Sequence, residues 1–554
     1  MNVLGINAVF HDPAAALVID GRIVAAAEEE RFTRRKHGKP CVPFSTWELP
    51  AASAGWSLEF AGIRPDQLDA VAYSYDPALA PDTGAVLHEH EYEGLRTYFV
   101  TRAPGFIATL LPGVDRRSVR FVPHHVAHAA SAYLAGPHRD CAVMVLDGRG
   151  ESTSYLAGCA RDGALEILRR VALPHSLGLR YEELTMHVGF ERSSDEYKVM
   201  ALASYGKPRW AGEIGAAMHH DGDGGFVAPP IDLARFAPPR RAGEPFRPEH
   251  ADLAASVQAA LQTTMLDAAR WLHAQTGMRA LVLAGGVALN VVANSYLAER
   301  GPFADVWVQP AAGDAGTALG AALYVARDLG DAVQPMSSAA LGRGWSAEEI
   351  RAALDVAAVP YTEPADIASE VADVIARDGI VAWFQGRSEF GPRALGNRSL
   401  LANPRHAETL HRINDVKGRE QFRPVAPMTL LEAAPRFFSG PFPSPYMLFV
   451  HRVRPEWAES LRAVTHVDGT ARVQTVDRAA DPLVARLLDE VGRRTGLPVV
   501  INTSLNTAGR PMVDSPRDAL ECYGSAPVDA LAIGPYLLTR SRTPAGAGLA
   551  SALA

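Results

Sequence analysis

Two histidines one helical turn apart, His124 and His128, stand in the stretch Pro123-His124-His125-Val126-Ala127-His128-Ala129-Ala130-Ser131. A proline followed by small residues predicts a helix beginning here. The i, i+4 spacing then stacks two imidazoles on one face, where they can share a metal ion, while His125 lies off that face. The zincin pattern H-E-x-x-H is excluded, because His125 occupies the glutamate position. The pair needs carboxylates from elsewhere, and two are placed to supply them. Asp147 ends the β-prone run 141 to 147, and Asp314 precedes a small-residue helix, where it is either a ligand or a cap. Two imidazoles and two carboxylates suit Fe(II), Mn(II) or Zn(II), with open positions for holding a phosphate or polarising a carbonyl. His11, beside Asp12, is either a general base or a residue that holds its turn.

A second set of residues is basic. Arg387, Arg393, Arg398, Lys417, Arg419, Arg423 and Arg472 fall in or beside loops, several next to Gly or Pro. They form either a surface salt-bridge network or a site for a nucleoside triphosphate and a second small anion. Lys417-Gly418-Arg419 and Asn502-Thr503-Ser504-Leu505-Asn506 are the local patterns within it. Earlier in the chain, the strand 280 to 284 runs into Gly285-Gly286 and on to Asn290, an arrangement that offers backbone N–H groups to a phosphate or adenosine. The run Arg31, Arg34, Arg35, Lys36 and His37 reads as a solvated or cleft-edge face.

The elements that must position these groups repeat. Runs 2 to 9, 14 to 19 and 22 to 27, with a turn at Asp20-Gly21, form a three-strand meander. Runs 141 to 147, 152 to 159 and 164 to 171, with a turn at Asp162-Gly163, form another, so the chain carries a duplicated βββ unit whose strand ends face a cleft. A packing helix spans 251 to 276, and residues 220 to 250, rich in Gly and Pro, read as an insertion near the cleft. Residues 329 to 344 have linker composition, Ser346 and Glu349 make a capping box, and helix 366 to 377 feeds strand 380 to 384. The expected domains are 1–344 and 345–540, with a frayed tail at 541–554. With 554 residues, 48% apolar content and a net charge of −8, the chain has the makings of a multidomain globular protein, and its acidity argues against nucleic-acid or anionic-membrane binding. Four dispersed cysteines and the absence of a signal peptide or spanning run point to a soluble cytoplasmic protein. Oligomeric state leaves no mark on the sequence.

These residues lie within longer ordered strings: His11-Asp12-Pro13-Ala14-Ala15, Glu28-Glu29-Glu30-Arg31-Phe32-Thr33, Lys198-Val199-Met200, Phe390-Gly391-Pro392-Arg393-Ala394-Leu395-Gly396-Asn397-Arg398-Ser399 and Arg419-Glu420-Gln421-Phe422-Arg423-Pro424. In them the chain resembles, over nearly its whole length, the O-carbamoyltransferases of the nodulation-protein and antibiotic-tailoring type. Met200-Ala201 and Leu505 depart from the common pattern without touching a candidate ligand. The resemblance implies an α/β protein with an actin- and sugar-kinase-like first domain, of the version used in threonylcarbamoyl transfer, and a YrdC-like second domain. It further implies that the second domain makes carbamoyl-adenylate from carbamoyl phosphate and ATP with Mg. Lys417 and Arg419 would act there, and Arg393, Arg398, Arg423, Arg472, Asn502, Ser504 and Asn506 would bind the anions. The first domain would then pass the carbamoyl group to a hydroxyl of a small natural product. His124, His128, Asp147 and Asp314 would hold the metal, Fe(II) being favoured, with His11 as base and Asp12, Lys198, Gly285, Gly286 and Asn290 around the adenylate. Two alternatives are a sugar-kinase-like phosphotransferase and a non-catalytic nucleotide-binding regulator.

Overall fold

The computed structural model describes residues 1–81 and 91–540, so the tail expected at 541–554 lies outside the described residues. Two five-stranded sheets form the amino-terminal half. The first runs in the order Arg22–Glu28, Ala14–Ile19, Asn2–Asn7, Ala70–Tyr73, Val119–Phe121. The second runs Ala164–Ala172, Thr153–Arg161, Cys141–Leu146, Ala280–Ala284, Asp305–Val308. In each, a meander of antiparallel strands is extended by two parallel ones, so the duplication read from the sequence is present in the pairing. Both meanders turn on an Asp-Gly pair at positive φ (48° and 74° at Asp20-Gly21, 47° and 74° at Asp162-Gly163), the geometry that matches strand twist in a two-residue hairpin.

Helices His124–Tyr133 and Ala315–Asp328 pack together between the sheets in an alanine-rich core. Their small residues have a specific use. A Cβ on Gly320 would lie 1.8 Å from the Ala127 carbonyl oxygen, and one on Gly5 would lie 1.9 Å from that of Ala318. Glycine therefore lets the two helices, and the central strand beneath them, approach closely enough for their N-terminal ends to meet.

The carboxy-terminal half is built on a seven-stranded mixed sheet, ordered Gln474–Val476, Ala426–Leu430, Val499–Ser504, Arg398–Ala402, Val381–Phe384, Ala530–Ile533, Tyr536–Thr539. Helices Ile367–Ala376 and Pro482–Thr495 cover one face, and Ala347–Val356, Ala407–Val416 and Pro516–Ser525 the other. The capping box of Ser346 and Glu349 starts Ala347–Val356 as its sequence predicts. The Gly- and Ser-rich segment before it is no loose linker. Gln334 and Met336 donate backbone N–H to Gly21 and Ala135, Leu341 accepts from Ala26, and Gly342 donates to Ser388, so this strap is bonded to both halves. Composition predicts flexibility, but the backbone groups find partners on the surfaces they cross. Among the described residues, no helix is long and apolar enough to cross a membrane.

Candidate active site

His124 and His128 stand at the start of their helix, behind Pro123, and both are fully buried. Asp147 follows strand Cys141–Leu146 directly, and Asp314 immediately precedes helix Ala315–Asp328. Asp314 makes no capping bond to that helix, which leaves its carboxylate to the histidines. His124 Nε2 lies 3.3 Å from Asp147 Oδ2 and 3.6 Å from Asp314 Oδ1; His128 Nε2 lies 3.7 and 3.5 Å from the same atoms. One donor atom from each residue falls within 4.8 Å of all the others, a span that fits a single ion. The surroundings fix these donors. His124 Nδ1 donates to the Ser74 carbonyl, turning Nε2 toward the carboxylates, and Glu151 accepts the backbone N–H of His124. Both ring nitrogens of His128 and Oδ2 of Asp314 are buried without a hydrogen-bond partner, as expected of groups shaped for a cation.

The electrostatics agree. Burial opposes charge on His124, but the Asp147 and Asp314 carboxylates outweigh it and hold the imidazole well above its ordinary pKa. Burial likewise opposes charge on Asp147 and Asp314; the imidazoles, with His11 foremost for Asp314, hold both carboxyls low. His125 is closer to this centre than its helical position predicts: Nε2 lies 3.8 Å from Asp147 Oδ2, while Nδ1 pairs with Thr153 Oγ1 at 2.8 Å.

His11 faces the same centre, with Nδ1 bonded to Asp12 Oδ2 at 3.0 Å and Nε2 3.7 Å from Asp314 Oδ2. Burial alone would lower its pKa, yet Asp314 and Asp12 outweigh it and raise it well above normal, which favours the protonated imidazole. Asp12 also accepts from His37 Nδ1 at 2.9 Å.

These groups open into a cavity of about 890 Å³ walled by both halves of the chain. Asp147, Asp314, His11, Asp12, Lys198 and Asn290 line it from one side. Arg393, Lys417, Arg419, Arg423 and Arg472 line it from the other, with Asn502, Ser504 and Asn506. Lys417 Nζ donates to Ser504 Oγ at 3.0 Å and Asn506 Oδ1 at 2.6 Å, so the two motifs meet. Burial, reinforced by Arg419 and Arg423, pushes Lys417 well below its usual pKa; burial likewise lowers Arg419 to about 9 and Arg393 to about 10. Arg423 and Lys198 share the Glu420 carboxylate, at 3.5 and 3.0 Å, and Nε of both Arg393 and Arg472 is buried without a partner. So much crowded positive charge on one wall suits the binding of anions.

Several sequence expectations are corrected by this geometry. Arg398 is not on the cavity wall. It is fully buried beneath it, donating to the carbonyls of Gln385 and Arg343 at 2.7 and 3.0 Å and lying 3.7 Å over Phe384. Arg387 likewise binds the Gly342 carbonyl, away from the cavity. The Gly285 and Gly286 N–H groups are already committed, to Ala312 O and to Asp147 Oδ1, both at 2.9 Å, so this turn orients a candidate metal ligand instead of cradling phosphate. Asn290, although on the cavity wall, also caps helix Val291–Arg300 and pairs with Gln258. Among the described residues, none from 220 to 250 lines the cavity. Of the two readings of the Arg31 run, the cavity bears out the cleft-edge one: Arg31, Lys36 and His37 line it, and Arg31 is buried between the halves. Glu151, Ser74 and Glu420 escape a reading of the sequence, because a partner that acts through one hydrogen bond or one ion pair leaves no periodic trace.

The model described as Carbamoyltransferase N-terminus matches residues 2–78, 79–221 and 233–323, and Carbamoyltransferase C-terminus matches 372–540. The chain belongs to the carbamoyltransferase family. This carbamoyltransferase is 37% identical to Nodulation protein NolNO of Sinorhizobium fredii over 96% of its own length and 80% of that protein. It is 40% identical to Nodulation protein NolO of Bradyrhizobium diazoefficiens over 75% and 78%, and 31% identical to Nodulation protein U of Sinorhizobium fredii over 94% and 96%. Among solved structures, HypF of T.kodakarensis shares 16% identity at a TM-score of 0.36, covering 59% of the carbamoyltransferase and 48% of HypF. Family membership makes the chain an enzyme, which sets aside the regulator and kinase alternatives.

Proposed function

We propose that the chain is an ATP-dependent O-carbamoyltransferase that works in two steps, divided near residue 344, and tailors a hydroxyl of a small natural product such as an antibiotic. The observation that carries this reading is one continuous cavity with Asp147 and Asp314, the carboxylates of the His/His/Asp/Asp cluster, on one wall and the Lys417 cluster on the other. In the first step, at the basic wall, water releases carbamate and phosphate from carbamoyl phosphate. A carbamate oxygen then attacks the α-phosphorus of ATP, brought with Mg, and pyrophosphate leaves. Arg393, Arg419, Arg423 and Arg472 neutralise the phosphates, and Lys417, held by Ser504 and Asn506, fixes the reacting oxygens.

In the second step the acceptor hydroxyl attacks the carbamoyl carbon and AMP departs with the bridging oxygen. Asp12 holds the Nδ1 proton of His11, leaving Nε2 to take the hydroxyl proton. A divalent ion on His124, His128, Asp147 and Asp314, with Fe(II) favoured by the resemblance and Mn(II) or Zn(II) suited to the same donors, would supply Lewis acidity toward the phosphate or carbonyl. Its charge beside Asp314 would also ease the attraction that keeps His11 protonated.

The test supplies carbamoyl phosphate, ATP and a panel of hydroxylated natural products. Phosphate, pyrophosphate, AMP and a product heavier by one carbamoyl group are expected; ADP as sole nucleotide product would overturn the reading. Lys417→Ala should stop pyrophosphate formation, whereas His128→Ala should spare it and stop transfer.

A further inference from the structure

Glu28 and Arg31, at the start of a charged run that reads as a solvated or cleft-edge face in the sequence, are 5% and 3% exposed, lie at the cavity's edge and grip the other half of the chain. Glu28 Oε1 accepts the backbone N–H of Gly391 at 2.7 Å, and Arg31 Nη2 donates to the carbonyl of the same residue at 2.9 Å. Arg31 is itself steadied by Glu28 and Glu30, at 3.4 and 3.2 Å. Gly391 has φ +117°, and a Cβ there would lie 2.8 Å from the Pro310 carbonyl oxygen, so it is pressed against the loop that carries Asp314. Two residues on is Arg393, on the cavity wall. Arg34 grips a second loop in the same way. Its Nη1 and Nη2 donate to the carbonyls of Met512 and Pro511 at 2.7 and 2.9 Å, and Nε lies 3.2 Å from Asp518. Pro511 and Met512 also line the cavity, on the segment that begins with Asn506. One short stretch thus holds both loops of the basic wall, and it does so through their backbones.

We infer that Glu28, Arg31 and Arg34 are positioning residues that seal the seam between the two walls and keep carbamoyl-adenylate from water until an acceptor arrives. The inference rests on the proposed function. Directional bonds between buried polar side chains and one peptide favour a single relative placement of the walls, which general apolar packing does not. The need follows from the chemistry. Water that enters attacks the carbamoyl carbon, the bond from that carbon to the phosphate oxygen breaks, AMP leaves, and the carbamate decays to carbon dioxide and ammonia.

The experiment needs no acceptor. Wild type, Glu28→Ala, Arg34→Ala and Glu28→Gln are given ATP, Mg and carbamoyl phosphate, and pyrophosphate and AMP are followed, with melting curves to verify folding. Wild type should form pyrophosphate in a burst of about one per enzyme and then release AMP slowly. Glu28→Ala and Arg34→Ala should keep the burst and release AMP at least about tenfold faster, and Glu28→Gln, which still accepts from Gly391, should return toward wild type. Continuous AMP release by wild type, slow release by every variant, or loss of burst and AMP release in equal proportion would overturn the inference. Absence of any pyrophosphate from wild type would instead defeat the proposed function. Should Glu28→Ala fail to fold, Arg34→Ala, whose side chain is partly exposed, decides the matter.

Discussion

Glu28 offers a quantitative test of the seam. Its carboxyl is raised from 4.5 to about 7, chiefly by burial and against the pull of Arg31. Below pH 4.5 the folded and unfolded chains both hold this proton. Between 4.5 and about 7 only the folded chain does, so this group's contribution to stability falls as pH rises through that window and is level above it. A window of about 2.5 pH units at about 1.36 kcal/mol per unit corresponds to about 3 kcal/mol. Glu28→Gln imitates the protonated side chain and keeps its oxygen on Gly391, so it should be free of this slope. Relative to wild type, the variant should therefore gain about 3 kcal/mol between about pH 4.5 and about pH 8. For a cooperative unit of about 150 to 250 residues this amounts to roughly 6–12 °C in melting temperature. Calorimetric scans of both proteins across that range measure the difference directly, because every other titrating group is common to the two. Parallel profiles, or a gap that widens toward acid, would refute the assignment of a neutral buried carboxyl.

Three further outcomes follow from placement. Arg472→Ala should raise the KM for carbamoyl phosphate or ATP at least about tenfold with little loss of melting temperature. Arg398→Met should lower the melting temperature by several degrees and leave those KM values within about threefold, since its guanidinium holds main-chain carbonyls beneath the wall. Gly320→Ala forces a Cβ onto the Ala127 carbonyl, 1.8 Å away, and should destabilise by about 1–3 kcal/mol or more. It should also weaken divalent-metal binding, read by metal content after dialysis, because it parts the helices that bring Asp314 to His124 and His128.

Much of this is legible in the sequence. The Asp-Gly turns specify their own hairpins, and the meander strands fall within a residue or two of the apolar runs. The four candidate ligands can be found because Asp147 ends a strand, Asp314 precedes a helix, and His124 and His128 stand one turn apart at a helix start. What stays hidden depends on direction and on partners distant in the chain. Arg393 and Arg398 occur in one motif and look alike in sequence, but Arg398 begins a central strand whose pleat turns it down over Phe384, whereas Arg393 stays in the loop and reaches the cavity. Gly285-Gly286 has the composition of a phosphate turn, yet its N–H groups find Ala312 and Asp147, nearer acceptors that only the assembled sheet supplies. The Arg31 run reads as a solvated or cleft-edge face and does edge the cavity, but its partner, the Gly391 peptide, lies 360 residues away and leaves no local trace.

The strap between Gly21 and Ser388 bears on how such enzymes can be recombined. Because its backbone is bonded to Gly21 and Ala135 on one side and Ser388 on the other, a protease cut there should leave a nicked but associated heterodimer. Chimaeras that exchange the amino-terminal and carboxy-terminal halves between relatives should accordingly inherit the strap together with both surfaces it touches.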